Sequence, residues 1–280
     1  MSKPCLSIQD ISCYGQCSTT VALPILSALG LETAILPTAI LSTHTGCFTG
    51  YTFRDLKGDI PGIIAHWQKE GIRFNGILTG YLGHAQDIDL VLKLHHECND
   101  GPLFVDPAFG DFGKLYGGFD KKYVKAYRAL IKEADFILPN LTEAAFLLDQ
   151  PYNPHPSELE INAILGGLLR LGAKGIILKG IGNGANTTGF VYLEGNKRRG
   201  YVHALINKEY HGTGDVFAST FAGCMLRGLD PFTSGTIASN FVYEAIKATL
   251  PDKKHDYGVK FEPLLGDLAS AVKLKLGQSR

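Results

Sequence analysis

The chain has 280 residues, of which 45% are hydrophobic, and its 27 Lys plus Arg balance its 27 Asp plus Glu, for a formal net charge of zero. That content supports a full core rather than disorder, and the missing basic excess argues against nucleic acid or an anionic membrane as a partner. No apolar run reaches spanning length and the opening MSKPCLSIQD lacks a signal peptide's apolar centre, so a cytoplasmic protein is expected, its six unpaired cysteines reduced and each read as a small buried hydrophobe.

CLSIQDI (5–11) reads as an apolar strand carrying Asp10 near its end, and a helix is expected over 17–29. TAILPTAI (33–40) is a second strand, ahead of a helix over 59–70. GILTGYL (76–82) brings Tyr81 to a strand end, before a helix over 85–98. That helix closes on HHEC, which has metal-ligand residue types, but only His95 and Cys98 are spaced to share a face, so a solvated helix end is the reading. PLFVDPA (102–108) leads to Asp106, with a helix over 120–133 to follow, and DFILPN (135–140) leads to Asn140 and a further helix start.

A helix over 157–171 precedes GIILKGI (175–181), which carries Lys179. Gly180–Ala185 fits G-x-G-x-x-A, yet the strand-like NTTGFVYLEG follows where a dinucleotide site needs a helix; the glycines are read as a turn. Residues 187–205 read as an antiparallel hairpin turning at Glu194-Gly195-Asn196. Helices are expected over 214–228, 231–249 and 264–276.

Continuously apolar strands alternating with helices indicate an α/β fold: a mostly parallel sheet covered by helices on both faces, with an antiparallel hairpin at one edge. With no linker and no repeat, residues 1–280 are taken as one domain. Open sheets of this kind bind ligands beyond the carboxyl ends of their strands, so Asp10, Tyr81, Asp106, Asn140 and Lys179 are expected to face one crevice.

Three motifs carry chemistry, and none is a P-loop. Gly212-Thr213-Gly214-Asp215 opens a helix rich in small residues. Backbone N–H groups there have no intrahelical partner and cradle an oxyanion, and the glycines allow close approach. The acid among them is either a plain cap or part of a reaction centre. Asn140-Leu141-Thr142-Glu143 is either a capping box or a pair organising hydrated Mg²⁺ on a nucleotide. VDPAFGDFGKLY (105–116) sets Asp106 and Asp111 in a glycine-rich loop suited to phosphate and metal.

Together these motifs resemble the ribokinase-like superfamily of small-molecule kinases, and within it the pyridoxal kinase branch. The resemblance runs through SIQDISCYGQ, LSTHTG, TGYLG, VDPAFGD, PNLTEAAFLL, HGTGD and VYEAIKAT. It implies a three-layer ribokinase-like fold and transfer of phosphate from ATP, with Mg²⁺, to a B6 vitamer. It also implies a homodimer whose partners are small molecules. By the same resemblance Asp215 is the catalytic base, and Gly212, Thr213 and Gly214 form the anion hole. Asn140 and Glu143 organise Mg²⁺ and the nucleotide phosphates, which Asp106, Asp111 and Lys179 also reach; Glu143 and Asp106 are the metal-side carboxylates. Asp10, His44, Thr45 and Tyr81 line the vitamin pocket. Related pyridoxal kinases often carry serine where this chain has Asp10. Hydroxymethylpyrimidine kinases share SALG and HGTG but commonly end the tetrad with cysteine, so they stay the second reading. A sugar or nucleoside kinase and a non-catalytic B6 or nucleotide binder are the further alternatives.

Overall fold

The computed structural model describes residues 3–278. In chain order its elements are β1 (Cys5–Ser12), α1 (Thr19–Ala28), β2 (Thr33–Leu41), β3 (Phe53–Asp55), α2 (Ile60–Lys69), β4 (Ile77–Thr79) and α3 (Ala85–Cys98). Then come β5 (Leu103–Val105), β6 (Gly110–Asp111), β7 (Lys114–Leu115), α4 (Lys121–Glu133), β8 (Phe136–Ile137), α5 (Leu141–Leu147) and α6 (Glu158–Arg170). The chain closes with β9 (Gly175–Lys179), β10 (Thr187–Glu194), β11 (Lys197–Ala204), α7 (Thr213–Leu226), α8 (Pro231–Thr249) and α9 (Leu265–Gln278).

Nine strands form one sheet in the order β11-β10-β9-β8-β5-β4-β1-β2-β3. From β9 to β2 every pairing is parallel, while β10, β11 and β3 run antiparallel to their neighbours. Successive side chains of a strand point to opposite faces, and here each face meets its own core. Leu103, Val105, Ile176, Leu178, Val191 and Leu193 pack with α2 to α6. Phe104, Ile177, Phe190 and Tyr192 pack with α7 and α8 on the other side. This two-sided burial is why the strands are apolar without alternation. The outer edge of β11 carries Lys197, Arg198 and Arg199, charges that discourage a further strand from adding there.

Two short pieces depart from the sequence reading. A second antiparallel edge strand, β3, spans three residues with an exposed Phe53, too short to show a pattern. The glycine-rich loop contains its own two-stranded hairpin, β6–β7. The cysteines also divide: Cys5, Cys98 and Cys224 are buried, but Cys13 and Cys47 are exposed and Cys17 is half-buried, so the buried-hydrophobe reading holds for only three.

Candidate active site

The first turn of α7 lies where β5 and β9 end. Gly212 precedes the helix with φ 76°, a conformation natural to glycine. A Cβ there would also sit 1.9 Å from the Gln16 carbonyl oxygen. The first intrahelical bond runs from Val216 N–H to Gly212 O, so the N–H groups of Thr213, Gly214 and Asp215 precede the ladder. Asp215 is therefore the third helical residue and not a cap. Its Oδ2 accepts the backbone N–H of Ser18 at 2.9 Å, from the start of α1. Burial pushes the Asp215 carboxyl up to about 7; the Ser18 bond opposes this, the Asp106 and Asp10 carboxylates add to it, and Lys179 opposes it.

Lys179 is the last residue of β9, and its Nζ donates to Asp106 Oδ1 at 2.8 Å. The side chains are only 14% and 5% exposed, so the charges meet largely out of water. Burial alone would lower Lys179, but the carboxylates of Asp106, Glu143 and Asp215 outweigh it and hold the ammonium charged. A Cβ on Gly214 would stand 3.9 Å from Lys179 Nζ and 4.0 Å from Asp106 Oδ2, so the ion pair faces the bare first turn of α7.

Asn140 and Glu143 form a true capping box on α5. Asn140 Oδ1 accepts Glu143 N–H and Glu143 Oε2 accepts Asn140 N–H, both at 2.8 Å. Glu143 is 2% exposed, and burial raises its carboxyl, Lys179 opposing and Asp106 assisting. The glycine-rich hairpin is tied to the same helix: Asn140 Nδ2 donates to Gly110 O and Gly113 N–H to Thr142 Oγ1, both at 2.9 Å. Asp111 lies in that hairpin, with Oδ1 accepting Phe112 N–H. Tyr116 follows it, and its hydroxyl is pushed up by burial and by Glu143, Asp111, Asp215 and Asp106. Asp106 and Glu143 each have one oxygen occupied by Lys179 and Asn140 N–H, respectively. Among the described residues no group of three His, Cys, Asp or Glu is placed to hold a metal ion alone. A hard carboxylate pair beside a helix start of bare amides fits Mg²⁺ that keeps its waters and takes phosphate ligands.

On the other side of Asp215 stands Asp10. The β1–β2 register shifts between Gln9 and Ile11, where Thr38 and Ala39 of β2 stand opposite the single residue Asp10, so a bulge of β2 lies beside it. Burial raises the Asp10 carboxyl, countered by the hydroxyls of Ser18 and Ser12, with Ser12 Oγ 3.0 Å from Oδ2. Tyr81 packs its ring 5.2 Å from that of Phe119, and burial, with Asp10 next, pushes its hydroxyl up to about 12. His44 is buried against Phe48 and His211, with ring centroids 5.1 and 5.3 Å away. Thr45, beside it, is exposed. Tyr14 extends the aromatic wall, 5.8 Å from Phe48 and 5.0 Å from Tyr257.

Sequence reasoning missed Ser18, Tyr14, Phe48, Tyr116 and Tyr257. Ser18 had a signal, a serine at a helix start, but its φ of 54° and its bond to Asp215 depend on tertiary contact. Tyr257 sits in a polar loop with no pattern to single it out. The Gly180–Ala185 turn leads into β10, as read, and His95 and His96 lie in the last turn of α3.

A family model described as phosphomethylpyrimidine kinase matches residues 51–260. The chain is similar to the pyridoxal kinase of Dictyostelium discoideum, 25% identical over 276 residues that cover 91% of this chain and 89% of the relative. It is similar in structure to the pyridoxal kinase of Lactobacillus plantarum, with a TM-score of 0.87, 33% identity and 99% of each chain covered. A Bacteroides thetaiotaomicron protein described as a phosphomethylpyrimidine kinase, solved with pyridoxal, gives a TM-score of 0.91 at 34% identity, covering 96% of each chain. The chain belongs to the phosphomethylpyrimidine kinase family and is a kinase with the ribokinase-like fold.

Proposed function

We propose that this kinase transfers the γ-phosphoryl group of ATP to the primary hydroxyl of pyridoxal, pyridoxine or pyridoxamine. The observation that carries the reading is Asp215, held by Ser18 N–H within a helix start of bare amides and close to the Asp106–Lys179 pair. In the reaction the vitamin oxygen forms a bond to γ-phosphorus as the bond to the bridging oxygen of ADP breaks. The hydroxyl proton goes to Asp215, whose raised affinity for protons suits a base working near neutrality. The N–H groups at 213–215 and the Lys179 ammonium hold the charge of the transferring phosphoryl, the main demand of this chemistry. Mg²⁺, when bound with the nucleotide, neutralises phosphate charge; Asp106 and Glu143 are the residues that would hold its waters. Asp111 and the β6–β7 hairpin cover the nucleotide phosphates. Asp10, His44, Thr45 and Tyr81 form the vitamin side.

The relatives support a B6 substrate, since the Dictyostelium and Lactobacillus proteins are pyridoxal kinases and the Bacteroides structure holds pyridoxal. The description of the family model favours a second substrate, the hydroxymethylpyrimidine alcohol. Asp215, where hydroxymethylpyrimidine kinases commonly have cysteine, favours the vitamin. A panel with Mg-ATP decides: three B6 vitamers, the pyrimidine alcohol and a few sugars, read as ADP release. Vitamer-dependent release supports the reading. Turnover of the pyrimidine alone transfers the site to thiamine precursors, and binding without turnover makes the protein a binder. The proposal includes a homodimer, which light scattering on the purified protein measures.

A further inference from the structure

His44 is enclosed by three stretches of chain. Gly46 N–H donates to its Nδ1 at 3.1 Å. A backbone amide can only donate, so Nδ1 carries no proton. The neutral ring then bears its proton on Nε2, which lies 3.1 Å from the Tyr257 carbonyl oxygen, a group that can only accept. Both nitrogens are thus committed to backbone partners, one in the loop at 42–50 and one in the segment at 255–258. Gly15, at φ 98°, closes the third side: a Cβ there would lie 2.2 Å from His44 Cδ2 and 3.3 Å from Tyr257 O. The Tyr257 carbonyl also accepts Gln16 N–H at 3.0 Å, which fixes the 255–258 segment to the β1–α1 loop.

We infer that His44 is a positioning residue, a neutral Nε2–H staple that fastens the 42–50 loop to the 255–258 segment and so presents Thr45 and the aromatic wall to the vitamin, and that a second proton on its ring releases the loop. This deepens the vitamin-kinase reading and rests on it. An imidazolium has a donor on both nitrogens, so Nδ1–H would meet Gly46 N–H head on and the staple would open. Burial lowers the affinity of His44 for that proton; the Tyr257 bond opposes, His211 from the loop before α7 assists, and Asp256 on the C-terminal segment opposes. Cys47, on the same loop, has its Sγ 3.8 Å from Nε2. On the 255–258 segment His255 is a further titratable group, its Nε2 2.8 Å from Gln16 Oε1, and Gly15 brings no ionisable side chain from the β1–α1 loop.

Two measurements test this. The first needs no activity: ¹⁵N NMR of the wild-type imidazole nitrogens, with hydrogen exchange at the Gly46 amide. The expected result is the neutral Nε2–H tautomer at pH 7.5 with a protected Gly46 amide, and loss of that protection as His44 titrates. An Nδ1–H tautomer, a charged ring at pH 7.5, or an unprotected Gly46 amide overturns the staple. The second compares His44→Phe with His44→Asn, whose Oδ1 overlies Nδ1 and keeps the Gly46 bond. Loss of both hydrogen bonds in His44→Phe is expected to raise pyridoxal KM about tenfold, with kcat within about threefold and ATP KM unchanged. His44→Asn recovers part of the loss. Wild-type pyridoxal KM climbs as pH falls through the His44 titration, and in His44→Phe that climb disappears. A fall in kcat at constant pyridoxal KM, or an unaltered pH dependence of KM in His44→Phe, contradicts the proposal. Should the wild type turn over no vitamer at all, the proposed function fails, while the NMR result still decides the staple.

Discussion

Ser18 joins Asp215 to Asp10: its backbone N–H donates to Asp215 Oδ2 at 2.9 Å, and its hydroxyl acts on the Asp10 carboxylate. The two acids therefore share one support, and each raises the cost of charging the other. Asp10→Ser removes that repulsion. The acid limb of the kcat/KM profile is expected to move to lower pH, because Asp215 then ionises more readily. The ranking of the three vitamers and the pyrimidine alcohol is expected to change as well, since a carboxylate is lost from the vitamin side. Initial rates over a pH series with each substrate check both outcomes. An unmoved limb with an unchanged ranking would mean that Asp10 is structural only.

Lys179 and Asp106 form a largely buried ion pair. Replacing Lys179 by Met leaves an uncompensated carboxylate beside the helix start, and breaking a buried pair in this way typically costs about 3–5 kcal/mol. Urea unfolding is expected to show that loss for Lys179→Met and to show most of it recovered in the Lys179→Met, Asp106→Asn double variant. Neither variant is expected to regain turnover, because the cation facing Gly214 is gone from both. Recovery of turnover along with stability would remove Lys179 from phosphate binding.

Glu143 serves the α5 cap and, in the proposed function, the nucleotide's metal. The two roles separate by substitution. Glu143→Gln keeps an oxygen for Asn140 N–H and is expected to leave stability near wild type while raising the Mg²⁺ needed for half-maximal rate, with little effect on pyridoxal KM. Glu143→Ala loses the cap too, at about 1 kcal/mol. A Mg²⁺ titration and a thermal melt on both variants distinguish the roles; an unshifted titration in Glu143→Gln would leave only the cap.

The raised pKa of Asp215 ties rate and stability to pH with opposite signs. As a base it acts only when ionised, so kcat/KM is expected to fall below about pH 7 and to level off above it. For folding, the native carboxyl holds its proton to about 7 whereas the unfolded one releases it near 3.8. The stability this group contributes is full below the unfolded value, declines as pH rises between the two, and is gone above about 7. Asp215→Asn, which still accepts Ser18 N–H, is therefore expected to melt higher than wild type at pH 8 and to lose that advantage at pH 4. A lower melting temperature for the variant at pH 8 would contradict the assigned burial cost.

The legible parts of this molecule were those with long periodic signals. The apolar runs of β1, β2 and β9 and the helices over 85–98 and 231–249 follow from pattern because the sheet buries both faces. Asp106 and Lys179 were found at strand ends, but nothing in the sequence showed that they pair, since 73 residues separate them. Asn140-x-x-Glu143 was ambiguous from sequence because a capping box uses the same atoms that a metal site would. The aromatic wall of Tyr14, Phe48 and Tyr257 was invisible, as it is assembled from three loops with no periodicity between them. Edge strand β3 was hidden by its length of three residues.

Steady-state kinetics of Asp215→Asn decide whether Asp215 takes the proton from the vitamin hydroxyl. The variant keeps the Ser18 contact and the amides of the first turn, so ATP KM should stay within about twofold of wild type, while kcat should fall at least tenfold and toward the roughly 10²–10⁴-fold expected for a lost base. Turnover within about threefold of wild type at saturating pyridoxal and ATP would rule out Asp215 as the base and reduce it to an anchor for the start of α1.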